Sequence, residues 1–558
     1  MKKTICVVGS GAGAGPVIYE MAKAGHKVIV LEKGAWLKTE DYSKDEISMT
    51  RRDVVTPLLE DEPYVIEYQK PNGEWYGRSN ADGGQNFWNG SMVGGSSNFM
   101  SGYFHRMKPV DFKLKSTYGD IKGANVVDWP ISYEDMEPYY EKVERVIGVS
   151  GKVVKHKFLE PRSTSDFPYK PLAENYVSSL LDKAANDVGI EMIPNPRAIL
   201  SSKKGDRNTC YLSNFCGSYA CSSDAKGSSR AALINEALET GNVQIIPKAK
   251  VFHLQTNGLG KIIKAHYHSD DGDKYIEADV FVVAAQAIET SRLLLLSENM
   301  DFPNGLANNN EQVGKNLVFS AGGVGGGIID FDDYTQEEAQ KLNMPGNFVN
   351  RTIHHFYELE KDGKKAKGGV VDFLFEHANP IGKAIRNKWN DDGTLLYGEA
   401  FQQKLKNYFT KQRKIKFEVF IDWQPNDNCF VTLDDEQIDK WGDKVAKLRL
   451  QHNEHDVAVG EIMTQECEKV LGAMGCKDIY SSIGTLPPPN LQAGGCRFGT
   501  DPRNSVLDAN CKAHEVANLY ITDGSSFPTG GSVTYTWTIY ANAFRVADAI
   551  LKELASIK

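Results

Sequence analysis

The stretch Thr4-Ile5-Cys6-Val7-Val8-Gly9-Ser10-Gly11-Ala12-Gly13-Ala14 decides how this chain folds. The β-branched run Thr4–Val8 reads as a buried strand, Val17–Ala24 as a helix ended by Gly25, and Lys27–Leu31 as a second strand leading to Glu32. In Gly9-x-Gly11-x-x-Ala14 each residue type has a physical task. Gly9 permits the tight turn, Gly11 lets the backbone approach a pyrophosphate, and Ala14 keeps the helix close to the sheet. The helix N-terminus favours the phosphate charge. Glu32 can accept hydrogen bonds from the adenosine ribose hydroxyls and disfavours a 2′-phosphate, which argues against NADP. The stretch predicts a dinucleotide site, and FAD and NAD both fit it.

Comparable signals recur far along the chain. Ala278–Val283 is a buried-strand run followed by a helical Ala287–Leu296, and Leu519–Gly524 is a strand ending in a turn, with a C-terminal helix from about Trp537 to Leu554. Lys416–Ile421 and Cys429–Leu433 alternate like antiparallel strands joined through Pro425-Asn426-Asp427. The expected fold is α/β plus α+β. A Rossmann-like dinucleotide-binding domain is assembled from residues 1–110, 205–310 and 485–558, with an antiparallel-sheet substrate or cap domain from 111–204 and 311–484.

The 558 residues are 41% hydrophobic and 25% charged, an ordinary globular composition that excludes collagen-like and disordered classes. A net charge of −9 argues against a general nucleic-acid binder. Apolar runs such as Val280–Ile288 are far shorter than the roughly 20 residues of a membrane span. Lys2 and Lys3 before an apolar run resemble a signal peptide, but the glycines that follow do not suit one. The nine cysteines are an odd number spread widely, a pattern for reduced thiols or a metal site rather than a disulfide framework.

Further motifs bring a resemblance. Val93-Gly94-Gly95-Ser96-Ser97, the run Val282–Leu294, Cys429–Asp434, Gly494-Gly495-Cys496-Arg497-Phe498-Gly499 and Asn518–Thr529 follow the N-terminal fingerprint in order. With it they resemble the glucose–methanol–choline (GMC) flavoprotein oxidoreductases over nearly the whole chain. The resemblance implies FAD, with Gly94, Gly95, Ser96 and Asn98 in a turn over the pyrophosphate and flavin. It also implies Asp523 near the ribityl and pyrophosphate, and Val251 near the adenine. A packing role is the alternative for each.

The pattern breaks where the family carries its catalytic pair. Members oxidise an alcohol by hydride transfer to the flavin, helped by a histidine base whose pKa lies near working pH. Here the base position is Leu491, and the partner position matches Thr534, or Tyr535 with a one-residue shift. Tyr535 and His105 are the substitute candidates, and Gln286 stands where the family has glycine near the cofactor. Trp88, Tyr103, Tyr535 and Trp537 are candidate stacking or hydrogen-bonding groups. The readings left open are a dehydrogenase of a polar hydroxylated small molecule such as a sugar, a flavoenzyme of non-alcohol chemistry, and a catalytically silent flavin subunit.

Cys210-x5-Cys216-x4-Cys221 resembles the cysteine-bearing stretch of the gluconate, glucose and fructose dehydrogenase branch. There, three thiolates can hold an iron–sulfur cluster. Three packing thiols are the alternative. That branch also implies a small helper subunit and a cytochrome or quinone acceptor. The chain itself reads as cytoplasmic, or as periplasmic if exported with such a partner.

Overall fold

The computed structural model describes residues 2–49, 55–83, 85–87, 89–320, 322–346, 349–390, 392–484, 486 and 491–556. Its first sheet is five-stranded and parallel, ordered Leu519–Ile521, Val280–Val283, Thr4–Val8, Lys27–Leu31, Val243–Ile246. Each central strand is a continuous apolar run because both faces of a parallel sheet are covered. The helices Gly15–Lys23 and Thr536–Ser556 pack together in the same core. The three distant signals thus meet in one sheet, as the resemblance implies.

A second sheet has six antiparallel strands, ordered Lys477–Ile483, Gly323–Asp330, Gln412–Phe420, Val370–Phe375, Val349–Ile353, Met192–Pro194. Ile415, Phe417 and Val419 are wholly buried against the helices Tyr176–Asp187 and Glu454–Ala473. Successive side chains of a strand point to opposite faces. Glu418 therefore stands on the other face, where it pairs across strands with Asp372.

The expected hairpin is corrected. Gln412–Phe420 belongs to the six-stranded sheet, whereas Cys429–Ile438 starts a four-stranded one with Lys444–Leu450, Val65–Gln69 and Trp75–Ser79. The intervening residues do not form a tight turn. Asp422 bridges to Ser320, Gln424 N–H donates to Asp456, and Pro425 O accepts from Asn125 N–H. Alternation specifies a strand but not its partner. Among the described residues no helix is long and apolar enough to cross a membrane.

Candidate active site

One cavity of about 410 Å3 lies between the two sheets, within the usual range for small-molecule sites of roughly 300–1,000 Å3. At one end it is lined by Leu31, Glu32, Val251, Glu289 and Arg292, and at the other by Tyr103, Glu418, Leu491, Gln492, Thr534 and Tyr535. Gly9–Gly13, Gly95, Ser96 and Asp523 line the stretch between.

The fingerprint glycines divide their work. Gly9 has φ +92°, and a Cβ there would meet Ala284 O at 2.4 Å. A Cβ on Gly11 would meet nothing within 4 Å, so it would project into the cavity itself. A Cβ on Gly13 would lie 2.6 Å from Asp523 Cα, so the absence of a side chain there lets the first and last strands of the motif come together. The helix beginning at Gly15 carries no acidic residue in its first turn, which leaves its positive end available to an anion. Ala14 caps that helix and is fully buried.

Glu32 is buried, and burial raises its carboxyl above the usual range. Its oxygens accept from Ser10 Oγ at 2.5 Å and Gly34 N–H at 2.8 Å. Asp523 is more fully occupied. It accepts from Gln286 N–H, Thr290 Oγ1 and both the N–H and hydroxyl of Ser525. Gly95 and Ser96 reach the cavity, while Gly94 and Asn98 hold their turn from behind. Gly94 N–H donates to Ser10 Oγ, and Asn98 Nδ2 donates to Val93 O and Gly95 O.

These residues fit FAD. The open face of Gly11, the uncompensated helix N-terminus and the buried Glu32 form a cradle for a dinucleotide, and the cavity continues past it to a polar chamber. Tyr535 lines that chamber, while its buried Oη packs against Gly530 and has no hydrogen-bond partner among the described residues.

The candidate bases separate clearly. Burial pushes the Tyr535 phenol well up, with Asp422 adding to it, so the group stays neutral and donates rather than accepts. Thr534 lines the chamber but does not titrate near neutral pH. His105 stands behind the wall, not in it. Its Nε2 is 3.1 Å from both oxygens of Asp372, and its side chain is 1% exposed. Leu491 lines the chamber with φ +59°. Trp88 lies outside the described residues. Trp537 is a core residue stacked on Phe104 at 5.3 Å.

Gln286 lines the cavity, and its Nε2 donates to Gln492 Oε1. Its Oε1 accepts from Ile288 N–H and Glu289 N–H, capping the helix Ala287–Leu296. Residues that sequence reasoning passed over include Ser10, Glu289, Arg292, Glu418 and Gln492. Glu289 and Arg292 lie one helical turn apart, a spacing that could have found them. For Glu418 the signal was its place opposite the apolar face of a strand.

The iron–sulfur expectation finds no support. Cys210, Cys216 and Cys221 are free and partly exposed, and among the described residues no three His, Cys, Asp or Glu side chains gather as metal donors. The loop is organised around a cation instead. Lys226 Nζ donates to Met100 O, Cys216 O and Tyr219 O, and burial lowers its pKa to about 8.

Comparison with known proteins agrees with this geometry. Two family models, each described as GMC oxidoreductase, match residues 31–320 and 425–543. The 2-methyl-1,2-propanediol dehydrogenase of Mycolicibacterium austroafricanum is 29% identical, covering 99% of this chain and 96% of its own. The fructose dehydrogenase large subunit of Gluconobacter japonicus is 27% identical, covering 83% of this chain and 80% of its own. A solved formate oxidase from Aspergillus oryzae superposes with a TM-score of 0.65 at 15% identity, covering 100% of both chains. The chain therefore belongs to the GMC oxidoreductase family and is an FAD-dependent oxidoreductase.

Proposed function

We propose that this chain dehydrogenates a hydroxyl-bearing carbon of a polar small molecule, a sugar or sugar derivative. The observation that carries the reading is the polar wall of the cavity, where Tyr103, Glu418, Gln492, Thr534 and Tyr535 line it together with Leu491. Such a wall suits a ligand with several hydroxyls. The relatives support it, because their names describe dehydrogenation of a diol and of fructose.

When bound, FAD supplies the acceptor for the hydrogen removed from the substrate carbon. The chain's own residues do the rest. Gly9–Gly13 and Glu32 bind the dinucleotide, Gly95 and Ser96 position its far half, and Tyr535 walls the substrate chamber. Leu491 keeps water from that point. The fructose dehydrogenase relative is by name a large subunit, which favours a small partner subunit here, with a cytochrome or quinone receiving the electrons.

Anaerobic mixing of the purified flavoprotein with aldoses, ketoses, polyols and vicinal diols tests the reading. Bleaching of the flavin absorbance by at least one of them, with a carbonyl product, is the expected result. If none bleaches it while dithionite does, the alcohol reading fails in favour of non-alcohol chemistry or a silent subunit.

A further inference from the structure

Removing a hydride from an alcohol leaves a hydroxyl proton that some group must accept. Leucine cannot, threonine does not near neutral pH, and the phenol of Tyr535 is held neutral by burial. Of the four carboxylates among the described residues that line the cavity, Glu32, Glu289 and Asp523 belong to the dinucleotide segment and each accepts hydrogen bonds there, which leaves Glu418 beside Tyr103.

We infer that Glu418 accepts the substrate's hydroxyl proton, with Asp372 and His105 as positioning residues behind the cavity wall. This rests on the alcohol-oxidation reading above.

Geometry carries the assignment. Glu418 lies on the strand Gln412–Phe420, flanked in the sheet by Gly323–Asp330 and Val370–Phe375, so its backbone is held on both sides. Phe417 and Val419 anchor the opposite face, which points Glu418 away from the core and into the chamber. The Tyr103 hydroxyl donates to its Oε2 over 2.7 Å, while Oε1 has no hydrogen-bond partner among the described residues. One oxygen is thus oriented and the other is available.

The surroundings tune it. Burial raises the Glu418 carboxyl above the usual range, and Asp372, directly across on the neighbouring strand, raises it further. Lys416, on its own strand, and the Tyr103 hydrogen bond oppose this. Asp372 is itself wholly buried, with His105 Nε2 at 3.1 Å, Asn195 Nδ2 donating to the same carboxylate, and Arg197 nearby. A base with a raised pKa is better matched to proton transfer near neutral pH than an ordinary carboxylate at about 4.3.

The step balances. The carbon-bound hydrogen leaves with its electron pair to FAD, the hydroxyl proton goes to Glu418 Oε1, and the O–H bonding pair becomes the second bond of the product carbonyl.

Glu418→Gln, Glu418→Asp, Asp372→Asn and His105→Gln test it. Glu418→Gln should retain FAD absorbance and melting temperature but slow flavin reduction by about 10²- to 10⁴-fold, the range for loss of a general base. Glu418→Asp should recover part of that rate. The wild-type rate should fall as pH drops through the raised Glu418 value, and Asp372→Asn, by removing a like charge, should move that limb to lower pH. His105→Gln should also shift the limb without abolishing turnover. Independently of turnover, infrared difference spectra should show a protonated-carboxyl band in the wild type that titrates above the ordinary carboxylate range and is absent from Glu418→Gln. A Glu418→Gln enzyme reduced at the wild-type rate, or one that keeps the band, overturns the inference while leaving the alcohol reading intact. A wild type that no alcohol reduces defeats that reading and this inference with it.

Discussion

Ser10 Oγ donates to Glu32 Oε2 at 2.5 Å and accepts Gly94 N–H at 2.9 Å. One hydroxyl thereby ties Glu32, the acid proposed to bind the dinucleotide, to the turn at Gly94. Ser229 Oγ reinforces the joint by donating to Ser10 O, while Ser229 N–H donates to Ser97 Oγ. Ser10→Ala leaves a buried N–H and a buried carboxylate each short of a partner. A loss of about 1–3 kcal/mol of stability is expected from such a change, with weaker FAD binding. Thermal melting of the apoprotein and an FAD titration would measure the two effects.

The two neighbouring glycines should respond differently. A Cβ at Gly11 meets no protein atom, so Gly11→Val should fold normally yet purify with little FAD. A Cβ at Gly13 lies 2.6 Å from Asp523 Cα, so Gly13→Ala should lower the melting temperature even without cofactor. The flavin-to-protein absorbance ratio beside circular-dichroism melts separates them. A Gly11→Val protein with full flavin would contradict the assigned pyrophosphate path.

Gln286 holds φ +86° and ψ 151°, a region nearly confined to glycine and costing other residues about 1–3 kcal/mol. Its side chain recovers part of this as a helix cap, worth about 0.5–2 kcal/mol. Gln286→Ala keeps the strain and loses the cap, so it should be destabilised. Gln286→Gly loses both and should remain close to the wild type in urea unfolding. The reverse order would refute this accounting.

Asp422 gives a stability effect with a defined pH sign. Burial pushes its carboxyl up to about 6 against the pull of Lys367. The folded protein therefore binds this proton more tightly than the unfolded chain, whose value is near 3.9. The group's contribution to stability falls as pH rises through that window, and the loss is complete above about 6, amounting to about 3 kcal/mol at most. Asp422→Asn cannot ionise. Its new amide hydrogens at the position of Oδ2, which has no partner among the described residues, would cost about 1–3 kcal/mol. It should still melt higher, relative to the wild type, at pH 8 than at pH 5.

Lys226 ties the cysteine loop together by donating to three backbone carbonyls. Replacing Cys210, Cys216 and Cys221 together by serine should leave the visible spectrum unchanged, and the wild type should contain no stoichiometric iron. Lys226→Met should disorder the loop, read as faster proteolysis there. Iron and acid-labile sulfide at about three or four per chain would reverse this conclusion.

Much of the cofactor half was legible in the residues. Gly9, Gly11 and Glu32 are close in sequence, and each is chosen by local chemistry: a left-handed turn, an open backbone, an acid at a strand end. Gly95 and Ser96 line the cavity, whereas Gly94 and Asn98 do not. The reactive half was less legible. His105 looked free in the sequence because its partner Asp372 lies on a distant strand. Tyr535 looked ionisable until the structure buried it.

The sequence by itself determined the Rossmann-like unit, the FAD family and the absence of histidine at position 491. Those depend on short-range spacing and on residue identity, which need no partner to be read. Only the tertiary structure decided which strands pair, that Lys226 sits at the centre of the cysteine loop, and that Glu418 enters the chamber. Strand alternation names a face but not what lies opposite it, and burial, which shifts every titrating group here, is a property of the packed chain alone.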